Sequence, residues 1–193
     1  RKDLAGAEVA FRNSLEIDRR LHAATGEAPQ ALRDVAVSLS KLGDVMRARE
    51  DFAEAEAAIR ESLEITRRLA AAGETPQALR DASVSLERLG IVLLDRQDLA
   101  GADAALRESL EIRKRLIVAV GETPQALRDI AVSLARLSQA EERKGSTQAA
   151  LTLCEEALGL SQRLFQASPT PTARRDLESW LRKTADLRRK TGD

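Results

Sequence analysis

Apolar side chains recur three and four positions apart through most of the chain, in stretches of about 20 residues broken by short polar joints. From Pro76 to about Gln97 the stripe is Leu79, Ala82, Leu86, Leu89, Gly90 and Leu93; from about Leu99 to Val120 it is Ala102, Ala105, Leu106, Ser109, Leu110 and Ile112. That spacing places one apolar face along each of two amphipathic helices. Thr75-Pro76 supplies an N-cap hydroxyl and a proline at the first helical position, where its missing N–H costs nothing. Asp98 is set to cap the second helix, and Gly121 to stop it, as Gly26 and Gly73 are expected to stop the equivalent helices. At 1.5 Å per residue each helix should be roughly 30 Å long.

The pattern repeats. Ser-Leu-Glu-Ile stands at 14–17, 62–65 and 109–112, and the frame Pro-x-x-x-Arg-Asp begins at Pro29, Pro76, Pro124 and Pro171, a period of 47 or 48 residues. A two-helix unit of this kind cannot bury its apolar faces alone and must stack on its neighbours. The expected fold is therefore all-α, a right-handed α-solenoid of stacked antiparallel helix hairpins with about eight helices. It forms one domain over 1–193, with repeat frames of about 3–50, 51–97, 98–145 and 146–193. Asp3, Asp51, Asp98 and Asp193 share one place in the period, as they would in a window cut from a longer array. Small residues at Gly43 and Gly90, and at Ala7, Ala55, Ala102 and Ala150, mark close helix approaches. Glu16 and Arg20, Glu64 and Arg68, and Glu111 and Arg115 are i,i+4 surface pairs.

Leu39-x-x-Leu42-Gly43-x-x-Met46, then Asp51-Phe52-x-x-Ala55, Ile59 and Ser62-Leu63-Glu64-Ile65, resembles a tetratricopeptide repeat; Leu86 to Leu93 and Asp98 to Ile112 repeat the match. The family's usual unit is about 34 residues. Here Thr66 to Ala72 and Gly73 to Arg80 lengthen both helices, as in the long-helix repeats of kinesin light chains and bacterial signalling proteins. The resemblance implies a protein-interaction scaffold whose first helices line a concave groove. Aromatics make up only 2% of the chain.

On those first helices the solvent line reads Arg33, Val37, Lys41, Asp44; Arg80, Val84, Arg88, Ile91; Arg128, Val132, Arg136, Gln139; and Arg175, Ser179, Lys183, Asp186. Two basic ladders result. Arg33, Arg80, Arg128 and Arg175, each followed by Asp, are expected to pair with acids of the neighbouring unit. Lys41, Arg88, Arg136 and Lys183 could receive an acidic or carboxylate-bearing extended segment. Ile91 and Leu94, framed by Glu87, Arg88 and Asp95, form an apolar spot where other units carry Asp44 and Arg47, or Gln139 and Glu142. The candidate groove is thus Lys41, Asp44, Arg47, Glu87, Arg88, Ile91, Leu94, Asp95, Arg136, Gln139, Arg143 and Lys183. The lysine, arginine and asparagine clamp by which some family members hold a chaperone's C-terminus is not carried over, because the chain's single Asn is Asn13, outside this groove.

Composition narrows the partner. Lys plus Arg and Asp plus Glu each number 31, so no global field draws in nucleic acid or an anionic membrane. Nucleic-acid binding through the ladder is a third reading, after a peptide-holding scaffold and a spacer that self-associates through its open ends. One Cys and one His make neither a disulfide nor a zinc site, no tyrosine is present, and no glycine-rich phosphate motif appears. The chain therefore reads as non-enzymatic, without cofactor, metal or small-molecule substrate. Cys154 sits where other repeats place Phe11, Ile59 and Leu106 and reads as a core thiol. With no long apolar run and no signal-like start, a cytoplasmic location is expected. Ile117, Val118 and Val120 either fill the wider gap at a lengthened loop or form an exposed patch, and Trp180 interrupts the column Ser38, Ser85, Ser133 to cover the last interface.

Overall fold

The computed structural model describes residues 3–26, 28–73 and 75–192; Asp193, the last member of the aspartate frame, lies outside them. Among the described residues all regular structure is helical: α1 (Leu4–Thr25), α2 (Pro29–Ala48), α3 (Phe52–Gly73), α4 (Pro76–Asp95), α5 (Leu99–Val120), α6 (Pro124–Arg143), α7 (Thr147–Ala167) and α8 (Pro171–Thr191). Each helix packs on the next within two compact units, 1–98 with α1 to α4 and 99–193 with α5 to α8. This is the all-α, solenoid class of helical repeat.

The proline-led helices begin where the sequence indicates. The hydroxyls of Thr75, Thr123 and Thr170 accept hydrogen bonds from the backbone N–H groups of Ala78, Ala126 and Ala173 at 3.1, 3.1 and 3.2 Å. In α2 the N-cap is Ala28, which has no side chain to do this. Asp3 and Asp51 cap α1 and α3 by accepting from Gly6 N–H and Glu54 N–H at 2.8 and 3.1 Å.

The tight turns after α2, α4 and α6 are copies of one another. The Asp51, Asp98 and Ser146 N–H groups each reach back 2.9 Å to the carbonyls of Met46, Leu93 and Glu141. The residue just before takes a positive φ in all three, at Glu50, Gln97 and Gly145. Only the third is glycine, so the first two hold a conformation that costs a side chain roughly 1 kcal/mol or more. At the other joints Gly26 and Gly121 take positive φ as expected. Gly73 does not stop α3: it is the last residue within the helix. Likewise α4 ends at Asp95, with Arg96 and Gln97 in the turn, because the reach-back to Leu93 closes the helix earlier than the apolar stripe alone implies.

In the first unit the core runs through Leu39, Met46, Ile59 and Leu86, each at most 2% exposed; in the second through Leu134, Leu137, Cys154 and Leu187, none exposed. Cys154 is thus a core side chain, its Sγ 3.2 Å from the Ser138 hydroxyl, and burial pushes its thiol pKa up, away from reactivity. Trp180 packs against Ala150, Leu151, Cys154 and Leu187. Val118 is 88% exposed and Val120 41%, so that end of α5 presents an apolar patch rather than filling a gap.

Candidate partner-binding groove

The close approach of α2 and α3 places the floor of the groove. A Cβ on Gly43 would stand 2.6 Å from Ile59 Cγ1, so only glycine lets the helices sit this near. Just above, the Ser62 hydroxyl donates to the Ala36 carbonyl at 2.8 Å and lies 2.9 Å from the Ser40 hydroxyl and 3.3 Å from that of Ser85. This serine is the first residue of Ser-Leu-Glu-Ile, whose recurrence is the sequence signal for a buried polar floor.

Over that floor, between α2 and α4, opens a cavity of about 160 Å³. Its apolar wall is Ala36, Val37 and Val84, and its charged rim is Arg33, Lys41, Arg80, Arg88 and Asp81. Four cations therefore face one carboxylate, and that carboxylate is already engaged. Asp81 accepts from Arg33 Nε at 2.5 Å, from Arg33 Nη2 at 3.3 Å and from Gln77 Nε2 at 2.8 Å. The hydrogen bond to Asp81 also raises the Arg33 pKa, keeping its charge locked in place. Arg88 Nε donates to Asp44 at 3.1 Å, and the Lys41 ammonium sits 5.8 Å from the centre of the Phe11 ring, a weak cation–π contact. Arg80 Nε is buried without a hydrogen-bond partner, which is costly unless a ligand or water meets it.

Of the residues singled out from sequence, Lys41 and Arg88 line this one cavity. Asp44 is half-buried and holds Arg88; Arg47 Nη1 donates to Asp95 at 3.1 Å, tying α2 to α4. Glu87 and Ile91 are half-buried on α4, whereas Leu94 is 1% exposed and offers no surface, so Ile91 alone of the apolar pair meets solvent. In the second unit Arg136 and Gln139 lie half-buried and Arg143 exposed on α6, and Lys183 of α8 pairs with Glu142. Arg33 and Arg80 belong with Lys41 in the cavity, although the aspartate following each suggested pairing alone.

Two of the rungs expected to pair do so with an acid one period ahead, Arg33 with Asp81 and Arg128 with Asp176 at 3.4 Å, and Arg47, a candidate groove residue, pairs with Asp95 in the same way. No group of three or more potential metal ligands comes together among the described residues. Nor, among them, is any helix long and apolar enough to cross a membrane.

Hairpins packed in this order define an all-α helical repeat. Residues 35–73 and 84–118 match the tetratricopeptide repeat family model, and these two stretches are tetratricopeptide-type repeats with long helices. Two crystal structures of a Podosopora anserina protein described as a kinesin light chain with nearly identical TPR-like repeats share its fold. One is 16% identical, with TM-score 0.52 over 96% of this chain and 97% of that one; the other is 17% identical, with TM-score 0.50 over 95% and 97%. BtubC from P. vanneervenii is similar at 14% identity and TM-score 0.42 over 100% and 93%. No curated protein matches the sequence. Repeats of this family mediate protein–protein interaction.

Proposed function

We propose that this chain is a protein-interaction scaffold whose first unit holds an extended, acidic peptide segment in the groove between α2 and α4. One observation carries the reading: Arg33, Lys41, Arg80 and Arg88 converge on a cavity whose single lining carboxylate, Asp81, is already engaged by Arg33 and Gln77. Arg80 supplies a buried, unmatched donor, and Val37 and Val84 supply apolar contact beside it. A glutamate or aspartate side chain would meet Arg80 and compete with Asp44 for Arg88, exchanging an intramolecular pair for an intermolecular one. Basic partners and nucleic-acid bases fit poorly, the latter for want of aromatic platforms.

A labelled glutamate-rich peptide titrated against the chain tests this by fluorescence anisotropy. Binding should weaken as salt rises, because exposed charge pairs are screened. It should fall by roughly tenfold or more in the double variant Lys41→Glu, Arg88→Glu, since each charge-assisted hydrogen bond contributes about 1.5–3 kcal/mol. Equal affinity in that variant with unchanged helicity would remove the groove from consideration. The other reading, a structural spacer, draws on the Arg33–Asp81, Arg47–Asp95 and Arg128–Asp176 pairs, which spend groove cations on joining repeats. It expects no binding at any salt concentration.

A further inference from the structure

Of the four cations around the groove cavity, two are neutralised within the fold and two are not. Arg33 donates to Asp81 and Arg88 to Asp44, so each of those guanidinium groups has a carboxylate of its own. Arg80 and Lys41 have none among the described residues. The Arg80 Nε is buried without a hydrogen-bond partner, and the Lys41 ammonium has the Phe11 ring, 5.8 Å away. Two positive charges therefore stand unmatched at one cavity of about 160 Å³. Arg80 gives up hydration there and recovers nothing in return.

Charge selects the group that balances them. One glutamate or aspartate side chain brings a single negative charge and leaves one of the two cations over, and two carboxylates brought into so small a space repel each other. A phosphate monoester carries about −1.5 to −2 at pH 7, with three acceptor oxygens on one atom. It would meet Arg80 through the planar fork of the guanidinium and Lys41 as a point charge. The serine floor adds a hydroxyl. The Ser62 proton is committed to the Ala36 carbonyl at 2.8 Å, so Ser40 and Ser85 donate to the Ser62 oxygen at 2.9 and 3.3 Å. The longer bond is the weaker, and the Ser85 proton can turn from it to a phosphate oxygen at small loss.

The second unit is built otherwise at the same place. Where the first has Ser40, Ser62 and Ser85, it has Ala135, Ala157 and Trp180. Its cavity of about 230 Å³ is lined by Ala135, Cys154, Ser179, Trp180 and Lys183, and the one charged group among these, Lys183, pairs with Glu142. The unmatched pair of cations above a serine floor is thus a property of α2 to α4 and not of the repeat as such.

We propose that the groove between α2 and α4 is a phosphate-monoester site, filled by a phosphoserine or phosphothreonine of the bound segment. This rests on the reading of the groove as a peptide site and narrows it: the phosphate sits between Arg80 and Lys41, while Arg33 and Arg88 stay with Asp81 and Asp44 and hold α2 to α4. Val37 and Val84 face the carbon arm of the ester.

Three labelled peptides of one glycine- and alanine-based sequence, differing only in a central phosphoserine, glutamate or serine, test this by fluorescence anisotropy. The phosphoserine peptide should bind about tenfold or more tighter than the glutamate peptide, with the serine peptide weakest. With one cation removed a single carboxylate balances the other, so the preference should fall to about twofold or less in Arg80→Gln and in Lys41→Gln. Lys41 is exposed, so its variant carries the test even where Arg80→Gln fails to fold. Equal affinity for the phosphoserine and glutamate peptides, or no binding of the former, overturns the proposal. The acidic-segment reading then stands on its own and fails only if the glutamate-rich peptide also goes unbound. A preference that survives both variants with helicity intact overturns it too, by placing the phosphate elsewhere. Inorganic phosphate, added as competitor, separates the two sources of this chemistry. Displacement only far above the peptide's own Kd supports a phosphorylated segment, and displacement at that Kd assigns the site to free phosphate and overturns the segment.

Discussion

Replacing Gly43 by alanine separates packing from helix propensity, because the two act with opposite sign. In a helix interior the change from glycine to alanine is favourable by about 1 kcal/mol through backbone entropy. At Gly43, however, the new methyl would lie 2.6 Å from Ile59 Cγ1, 3.0 Å from its Cδ1 and 3.3 Å from the Ala55 carbonyl oxygen. Ordinary carbon contacts are about 3.5–4.0 Å, so the closest atom must retreat by roughly 1 Å. Ile59 and Ala55 have no exposed surface into which to move. Overpacking of this size costs typically about 1–3 kcal/mol. Gly43→Ala should therefore destabilise the chain by about 1 kcal/mol net. Gly159→Ala is the internal control: it lies within α7, a methyl added there would meet nothing within 4 Å, and the change should stabilise by about 1 kcal/mol. Urea unfolding followed by circular dichroism reads both. Stabilisation by Gly43→Ala as large as that by Gly159→Ala would show that α2 and α3 do not approach as described, and would undo the account of the groove floor with it.

Ala28→Thr should stabilise the chain by about 1 kcal/mol, supplying the N-cap hydroxyl that Thr75, Thr123 and Thr170 provide elsewhere, and Thr75→Ala should cost a similar amount; thermal melts of the two variants shifting in the same direction would contradict this. Acid should weaken the fold through Glu56 and Asp103. Burial raises both carboxyl pKa values, but hydrogen bonds from Arg60 and Arg96 to Glu56, and from Arg107 and Lys144 to Asp103, more than offset it and leave both lowered. Their stabilisation is thus complete above the ordinary carboxylate range and is lost as pH falls through the lowered folded-state values. Glu56→Gln should flatten the decline of the urea midpoint below that range, and an unchanged pH profile in this variant would refute the assignment. Lys41→Glu with Arg88→Glu should change the unfolding free energy read from urea titration by no more than about 1 kcal/mol, since half-exposed pairs contribute little, while weakening capture of the acidic peptide by roughly tenfold or more.

The helices were legible because their signals are local. Threonine and proline, the aspartate caps and the apolar stripe act within a turn or two, and the 47- or 48-residue period carries them from unit to unit. Gly73 departs from that pattern: its place in the period matches Gly26 and Gly121, but its backbone stays helical. The basic ladders were visible as a row of like residues on one helix face. What each rung does was not, because Arg33 meets an acid one whole period away in Asp81, whereas Arg80, of the same frame, buries its Nε without a partner.

Tertiary structure alone brought Ser40, Ser62 and Ser85 beneath Val37 and Val84 to make a cavity, and closed solvent off from Leu94. It also distinguished Ile17 from Ile65, identical residues in identical sequence motifs, of which one is covered and the other open. Helix formation depends on neighbours within four residues along the chain, so the sequence determines it directly. Groove, buried donor and open face depend on which side chains stand across from one another between helices, and that is decided only when the hairpins pack.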